Sequence, residues 1–148
     1  GAAAEPGLIG VDPDGPACNS GNRGSLEQFA SIAALRRLSD RDPRALSQAA
    51  AAGEPAALEV WERYGARLGV GLSSLVYVFT PQLVLLGGGL AGAACHFLPA
   101  VRREVEQRVQ AVSREGLRIE ACALGNGAGR LGAARLALLR LGGMMADD

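Results

Sequence analysis

Lysine is absent from this chain of 148 residues, and all fifteen basic residues are arginine, balanced by fifteen acidic ones. Aromatic residues are scarce, with one Trp, two Tyr and three Phe, and no basic stripe or basic–aromatic interleaving is visible. Proteins that grip nucleic acid concentrate cations on one face and often add stacking platforms. This chain has neither, so DNA is not expected as a direct partner. A single histidine, His96, leaves little for imidazole chemistry. Three cysteines, Cys18, Cys95 and Cys122, are odd in number and far apart. That excludes a disulfide framework and fits a reducing cytoplasm.

Charge is also missing from Leu68 to Val101, a stretch longer than the roughly 20 residues that span a bilayer. Thr80-Pro81-Gln82 and Gly87-Gly88-Gly89 interrupt it, however. The pieces read better as a buried helix followed by a buried strand, and no membrane span is expected. The N-terminus shows no basic region followed by an apolar run, so no signal peptide is expected either.

What remains has the length of about one domain and reads as α/β. Ser25 and Leu26 open a helix through about Leu38, ended by Ser39-Asp40-Arg41-Asp42-Pro43. A short alanine-rich helix follows from Pro43 to Ala52, closed by Gly53. Leu58, Trp61, Gly65, Leu68, Leu72, Leu75 and Phe79 then recur at spacings of three and four, one buried face of a long helix. Thr80-Pro81 stops it, because proline lacks an N–H and disfavours helical geometry in its predecessor. Leu83 to Leu86 reads as a short, fully buried strand. Val101, Val105, Val109 and Val112 mark the inner stripe of a further helix, Leu117 to Leu124 a second strand, and about Arg130 to Leu141 a last helix. The tail from Gly142 to Asp148 is expected to fray. Trp61 and Tyr64 are read as core or interface residues.

Two segments carry chemical content. The first runs from Glu5-Pro6-Gly7-Leu8 through Asp12-Pro13-Asp14-Gly15-Pro16-Ala17-Cys18-Asn19-Ser20-Gly21-Asn22-Arg23-Gly24-Ser25-Leu26-Glu27. Asp12 and Asp14 around Pro13 suit a turn. Arg23 can pair with Glu27 or reach a ligand. The second is Gly87-Gly88-Gly89, where a strand runs straight into glycines and a helix follows, leaving backbone N–H groups and open space at the strand's carboxyl end. No Lys-Ser/Thr pair follows, so it is not a P-loop.

The first segment resembles the ROK family (repressors, open reading frames and sugar kinases), whose pattern is E-x-G-H followed by D-G-x-x-C-x-C-G-x-x-G-C-x-E. Glu5, Glu27, Cys18 and the glycines at 7, 15, 21 and 24 match it. Leu8 stands where the family has histidine, and Ser20 and Ser25 stand where it has cysteines. Structural zinc asks for four thiolate or imidazole ligands. Cys18 alone cannot supply them, so the metal assignment is none and Cys18 is a remnant. Pro81 to Leu90 is similar to the family's P-x-x-V-V-L-G-G-G-L segment, and Gly125 to Ala134 to its closing glycine turn and helix.

The resemblance implies a ribonuclease H-like (actin/hexokinase-type ATPase) C-terminal lobe, a sheet packed with long helices, over residues 1–148. It implies that Glu5 and Glu27 bind a sugar, whose vicinal hydroxyls a carboxylate can accept from in pairs. It also places Gly87, Gly88 and Gly89 beside the adenosine of ATP, should ATP bind. The family's D-x-G motif and catalytic aspartate would lie upstream in an N-terminal lobe that this chain lacks, so no catalytic residue is assigned. By itself the chain is not expected to be a kinase, and ATP with Mg²⁺ enters only if the parent protein is one.

Three functions follow as expectations. The favoured one is the sugar-effector-binding and dimerisation domain of a ROK-type transcriptional regulator, reaching DNA only through an upstream domain. The alternative is the C-terminal lobe of an ATP-dependent, glucokinase-like sugar kinase without the zinc site. The third is a domain that only dimerises. His96 is expected on a helix near the adenosine-side turn.

Overall fold

The computed structural model describes residues 5–144. A 3₁₀ turn at Pro6–Leu8 is followed by α1 (Leu26–Phe29), α2 (Ile32–Leu38), α3 (Pro43–Ala51) and α4 (Pro55–Phe79). Then come β1 (Leu83–Leu86), α5 (Ala94–Arg108), β2 (Arg118–Ala121) and α6 (Ala128–Met144), with short 3₁₀ turns leading into α5, β2 and α6.

Local chemistry sets most boundaries. Asp42 caps α3, its Oδ1 accepting from the N–H groups of Arg44 at 2.9 Å and Ala45 at 3.0 Å, with Pro43 in the first turn. Those are donors that a helix start leaves unsatisfied. Pro55 opens α4, where a missing N–H costs nothing. At its other end Thr80 adopts a left-handed conformation (φ 41°) and Pro81 forbids a further turn.

The centre of the molecule is the pairing of α4 with α5. An added Cβ at Gly65 would lie 2.3 Å from the Phe97 carbonyl oxygen and 2.9 Å from the Ala100 Cβ. At Gly69 it would lie 2.6 Å from the Glu104 Cβ. Two glycines one turn apart therefore let the helix backbones approach closely. Around them Trp61 packs against Phe97 (ring centroids 5.7 Å) and His96 (6.2 Å), while Tyr64 meets Phe97 edge-on at 5.1 Å. Leu35, Leu46, Ala57, Val76, Val101 and Val105 complete the buried core. Burial pushes the Tyr64 hydroxyl pKa up to about 12.

β1 and β2 pair in parallel, with Leu83 opposite Arg118 and Leu86 opposite Ala121. Val84, Leu86 and Ile119 turn toward the helices. Leu83 and Leu85 lie on the other face, with Leu85 56% exposed. The expected fully buried strand is thus covered on one face only, because the helices pack on a single side of this pair.

Four other expectations are corrected. The predicted helix from Ser25 to Leu38 is two helices. Its ladder breaks at Ala30 and Ser31, where the Ser31 hydroxyl oxygen accepts from the Ala34 N–H (3.2 Å) and starts α2. The α4 stripe holds through Trp61, Gly65 and Leu72, but Leu58 and Phe79 at its ends are exposed, Phe79 at 69%. Ala57 and Val76 are buried there instead, since a period of 3.6 drifts away from alternating threes and fours. α5 ends at Arg108, so Val112 leaves the stripe and is 76% exposed. Finally, α6 continues through Met144, so Gly142–Met144 are helical, and residues 145–148 of the expected frayed tail lie outside the described residues. Among the described residues no helix is long and apolar enough to cross a membrane.

Candidate functional site

Residues 9–27 fold back on themselves and are pinned by the backbone. Leu26 N–H donates to Ile9 C=O (2.8 Å), Val11 to Gly24 (2.9 Å), Gly24 to Pro16 (2.7 Å) and Cys18 to Asn22 (2.8 Å). Gly24 is indispensable to this arrangement. Its φ is +59°, and an added Cβ would lie 1.6 Å from the Asp12 carbonyl oxygen. Asp12 forms the expected turn, accepting from the Asp14 N–H on Oδ1 (3.1 Å) and from the Gly15 N–H on its carbonyl (3.0 Å).

This fold-back sets the Pro6–Leu8 turn, which Glu5 precedes, beside Glu27 as a small platform. Glu27 sits half-buried in the first turn of α1. Glu5 is exposed and precedes the Pro6–Leu8 turn as its N-cap residue. The turn lies against Glu27, since a Cβ on Gly7 would be 3.6 Å from Glu27 Cβ and 3.8 Å from its Oε2. Arg23 is exposed and makes no ion pair with Glu27 among the described residues.

At the rear of the platform Cys18 is buried. Its single S–H has two acceptors in reach, Glu27 Oε1 (3.2 Å) and Asn19 Oδ1 (3.4 Å), and donates to one at a time, while the Ser20 hydroxyl donates to its sulfur (3.3 Å). The thiol pKa is lowered, first by the Ser20 hydroxyl and then by that of Ser25, against an opposing push from the Glu27 carboxylate. Ser25 Oγ is fully buried and makes no hydrogen bond of good geometry among the described residues. One thiol, two hydroxyls and a leucine do not make a tetrahedral zinc set. Among the described residues no group of three or more His, Cys, Asp or Glu side chains is placed to hold a metal ion. A hydrogen-bond network occupies the place of the family's metal ligands and ties Cys18 directly to Glu27.

The glycine turn occupies the carboxyl end of the parallel strands. Gly87 lies beside Cys122 at the end of β2, with 3.7 Å from its added Cβ to the Cys122 Cβ, and Gly88 has φ +90°. Gly89, Leu90 and Gly92 form one wall of a cleft of about 450 Å³, and Pro43, Arg44 and Gln48 of α3 line the other. His96 lies on α5 beyond this turn, partly buried, its ring against Trp61. Sequence reasoning missed the tie between the loop and the core. Arg67 on α4 reaches Asp12 Oδ2 at 3.4 Å and stacks over the Phe29 ring at 4.7 Å. No local pattern signals a pair so distant along the chain.

A parallel pair ending in a glycine turn, long helices against one face and a carboxylate-bearing loop define a lobe of the actin/hexokinase-like ATPase fold. The lobe is similar to a ROK family glucokinase from Streptomyces griseus in complex with glucose and AMPPNP, at TM-score 0.81 and 30% identity, covering 90% of this chain and 51% of that one. The ROK family model matches residues 1–140, and the chain belongs to the ROK family. It is 30% identical to a glucokinase of Thermotoga maritima over 163 aligned positions, covering 97% of this chain and 51% of that protein. It is also 30% identical to the xylose repressor of Bacillus subtilis over 137 positions, covering 89% of this chain and 36% of the repressor. The chain therefore spans about half the length of the two glucokinases and about a third of the repressor.

Proposed function

We propose that this lobe binds a sugar through Glu5 and Glu27 and serves as the effector-binding and dimerisation domain of a ROK-type transcriptional regulator. The observation that carries the reading is the platform itself. Glu27 is contacted by the Cys18 thiol on one side and by Gly7 on the other. Two neighbouring carboxylates suit the vicinal hydroxyls of a pyranose, each accepting two hydrogen bonds. The glucose complex of the Streptomyces griseus relative supports the ligand class.

The regulator is favoured over the enzyme by what stands around the glutamates. Leu8 donates no hydrogen bond where the family pattern has histidine, and a contact of that kind contributes roughly 1.5–3 kcal/mol when its partner is charged. A sensor tolerates that loss better than an enzyme, which must hold its substrate in register for chemistry. DNA would be reached through a separate domain, consistent with the balanced charge of this chain. One feature favours the kinase lobe as second reading: the cleft between α3 and the glycine turn, about 450 Å³, has the volume of a small-molecule site.

A thermal-shift screen against sugars, sugar phosphates and ATP separates the two, because a ligand of the folded state alone raises the melting temperature. Stabilisation by a sugar and not by ATP is expected. A shift with ATP would move the assignment to the kinase lobe, and no shift with any sugar would refute the platform's role. In the variant with Glu5→Gln and Glu27→Gln together, the sugar-induced shift should fall away. An undiminished shift would put the ligand elsewhere.

A further inference from the structure

Arg37 of α2 and Arg63 and Arg67 of α4 line a single cavity of about 290 Å³, walled by Phe29, Pro16 and Gln28. Among the described residues no carboxylate lines it. That concentration of like charge works against folding, since Arg63 and Arg67 lie one turn apart on the same helix, where cations repel. Elsewhere in the molecule Arg41, Arg103, Arg108 and Arg118 each pair with a glutamate. In this cavity only Arg67 has an acidic partner, Asp12, and that contact is long at 3.4 Å. Arg37 is exposed and donates to the Gln28 carbonyl, a contact that leaves its positive charge without an acidic partner among the described residues. Arg63 makes no ion pair or hydrogen bond among the described residues.

Three guanidinium groups against one carboxylate leave an excess of about two positive charges, and each guanidinium has five N–H donors. Planar forks of this kind match the oxygens of a phosphate. The volume suits a small molecule and not a folded segment. We propose that Arg37, Arg63 and Arg67 form a binding site for a phosphate group, free or carried by a small monoester, separate from the Glu5/Glu27 platform. The Asp12 carboxylate competes with that phosphate for Arg67. Asp12 also anchors the turn under Gly24, so the site adjoins the root of the loop that carries Glu27.

Titration calorimetry on the chain, in chloride buffer with inorganic phosphate and with phenyl phosphate as probes, tests this. Saturable binding is expected, weakened roughly tenfold or more by Arg63→Gln or Arg37→Gln, each of which removes a charge-assisted contact. Asp12→Asn keeps the Oδ1 acceptor of its turn but removes the competing charge. It should tighten binding roughly two- to fivefold, a gain that a misfolded variant cannot mimic. Arg36→Gln makes the same charge change on the same helix outside the cavity and should leave affinity unchanged. Preference for phenyl phosphate would assign the site to esters, and equal or better binding of inorganic phosphate would assign it to the free ion. Absence of saturable heat with either probe, or equal losses with Arg36→Gln and Arg63→Gln, would overturn the proposal.

Discussion

Replacing Gly65 by alanine sets two effects of opposite sign against each other, and the structure decides between them. In an isolated helix the change stabilises by about 0.8–1 kcal/mol, because alanine is the better helix former. Here the new methyl would lie 2.3 Å from the carbonyl oxygen of Phe97, on the neighbouring helix. Ordinary contact is near 3.4 Å, so α4 and α5 would have to separate by about 1 Å in a close-packed interior. Overpacking of that sort costs about 1–3 kcal/mol and sometimes more. Here the obstructing atom is backbone, which cannot rotate aside, so the cost sits at the upper end. The net expectation for Gly65→Ala is destabilisation of about 1–3 kcal/mol, a fall in melting temperature of roughly 2–10 °C for a domain of this size. Gly132 provides the comparison. It lies inside α6, and nothing stands within 4 Å of its added Cβ, so Gly132→Ala should stabilise by about 0.5–1 kcal/mol. Thermal and urea denaturation followed by circular dichroism measure both. A Gly65→Ala protein as stable as the parent, or more so, would refute the close helix approach on which the fold description rests.

Gly24→Ala should detach the carboxylate loop from its anchor while leaving the helical core folded. The sugar-induced thermal shift is expected to vanish with far-ultraviolet dichroism nearly unchanged, and a retained shift would contradict the fold-back. Tyr64 gives a stability change at alkaline pH. Its folded pKa, about 12, lies above the unfolded value near 10, so the unfolded state loses its proton first. Stability from this group is complete below about pH 10 and declines by up to roughly 3 kcal/mol as pH rises toward 12. Tyr64→Phe should flatten that decline in urea titrations at pH 9 to 11.5, and an unaltered slope would assign it to other groups. Elemental analysis of the purified chain should find well under one equivalent of zinc. Stoichiometric zinc lost on Cys18→Ala would show that hydroxyls and Glu27 complete a metal site after all.

The legible parts of this fold were those written in local chemistry. Asp42-Pro43, Thr80-Pro81 and the valine spacing at 101, 105 and 109 each act within a few residues, and the corresponding boundaries fall close to their predicted places. What depends on neighbours was harder to read. Ala30 looks like the interior of a helix, yet Ser31 caps the next one, because serine competes with the helical ladder for backbone donors. Leu83 and Leu85 read as buried because apolar runs do not say which face is covered. The motif spacing from Glu5 to Glu27 marked the segment that folds back on itself, but the Asp12–Arg67 tie and the arginine cavity join segments far apart in sequence, and only the fold brings them together.

The way the platform is attached has a kinetic side. Its backbone bonds close short loops between residues 9 and 27 and enclose little beyond Cys18, Leu26 and Ser25, whereas α4 and α5 share the aromatic cluster. Local opening free energy follows buried apolar contact, so the loop can exchange its amide hydrogens through partial opening while the helix pair waits for global unfolding. The amides of Val11, Cys18 and Gly24 should therefore exchange well before those of α4. An occupied sugar site would slow that first class and leave the second almost untouched, so occupancy could be timed residue by residue.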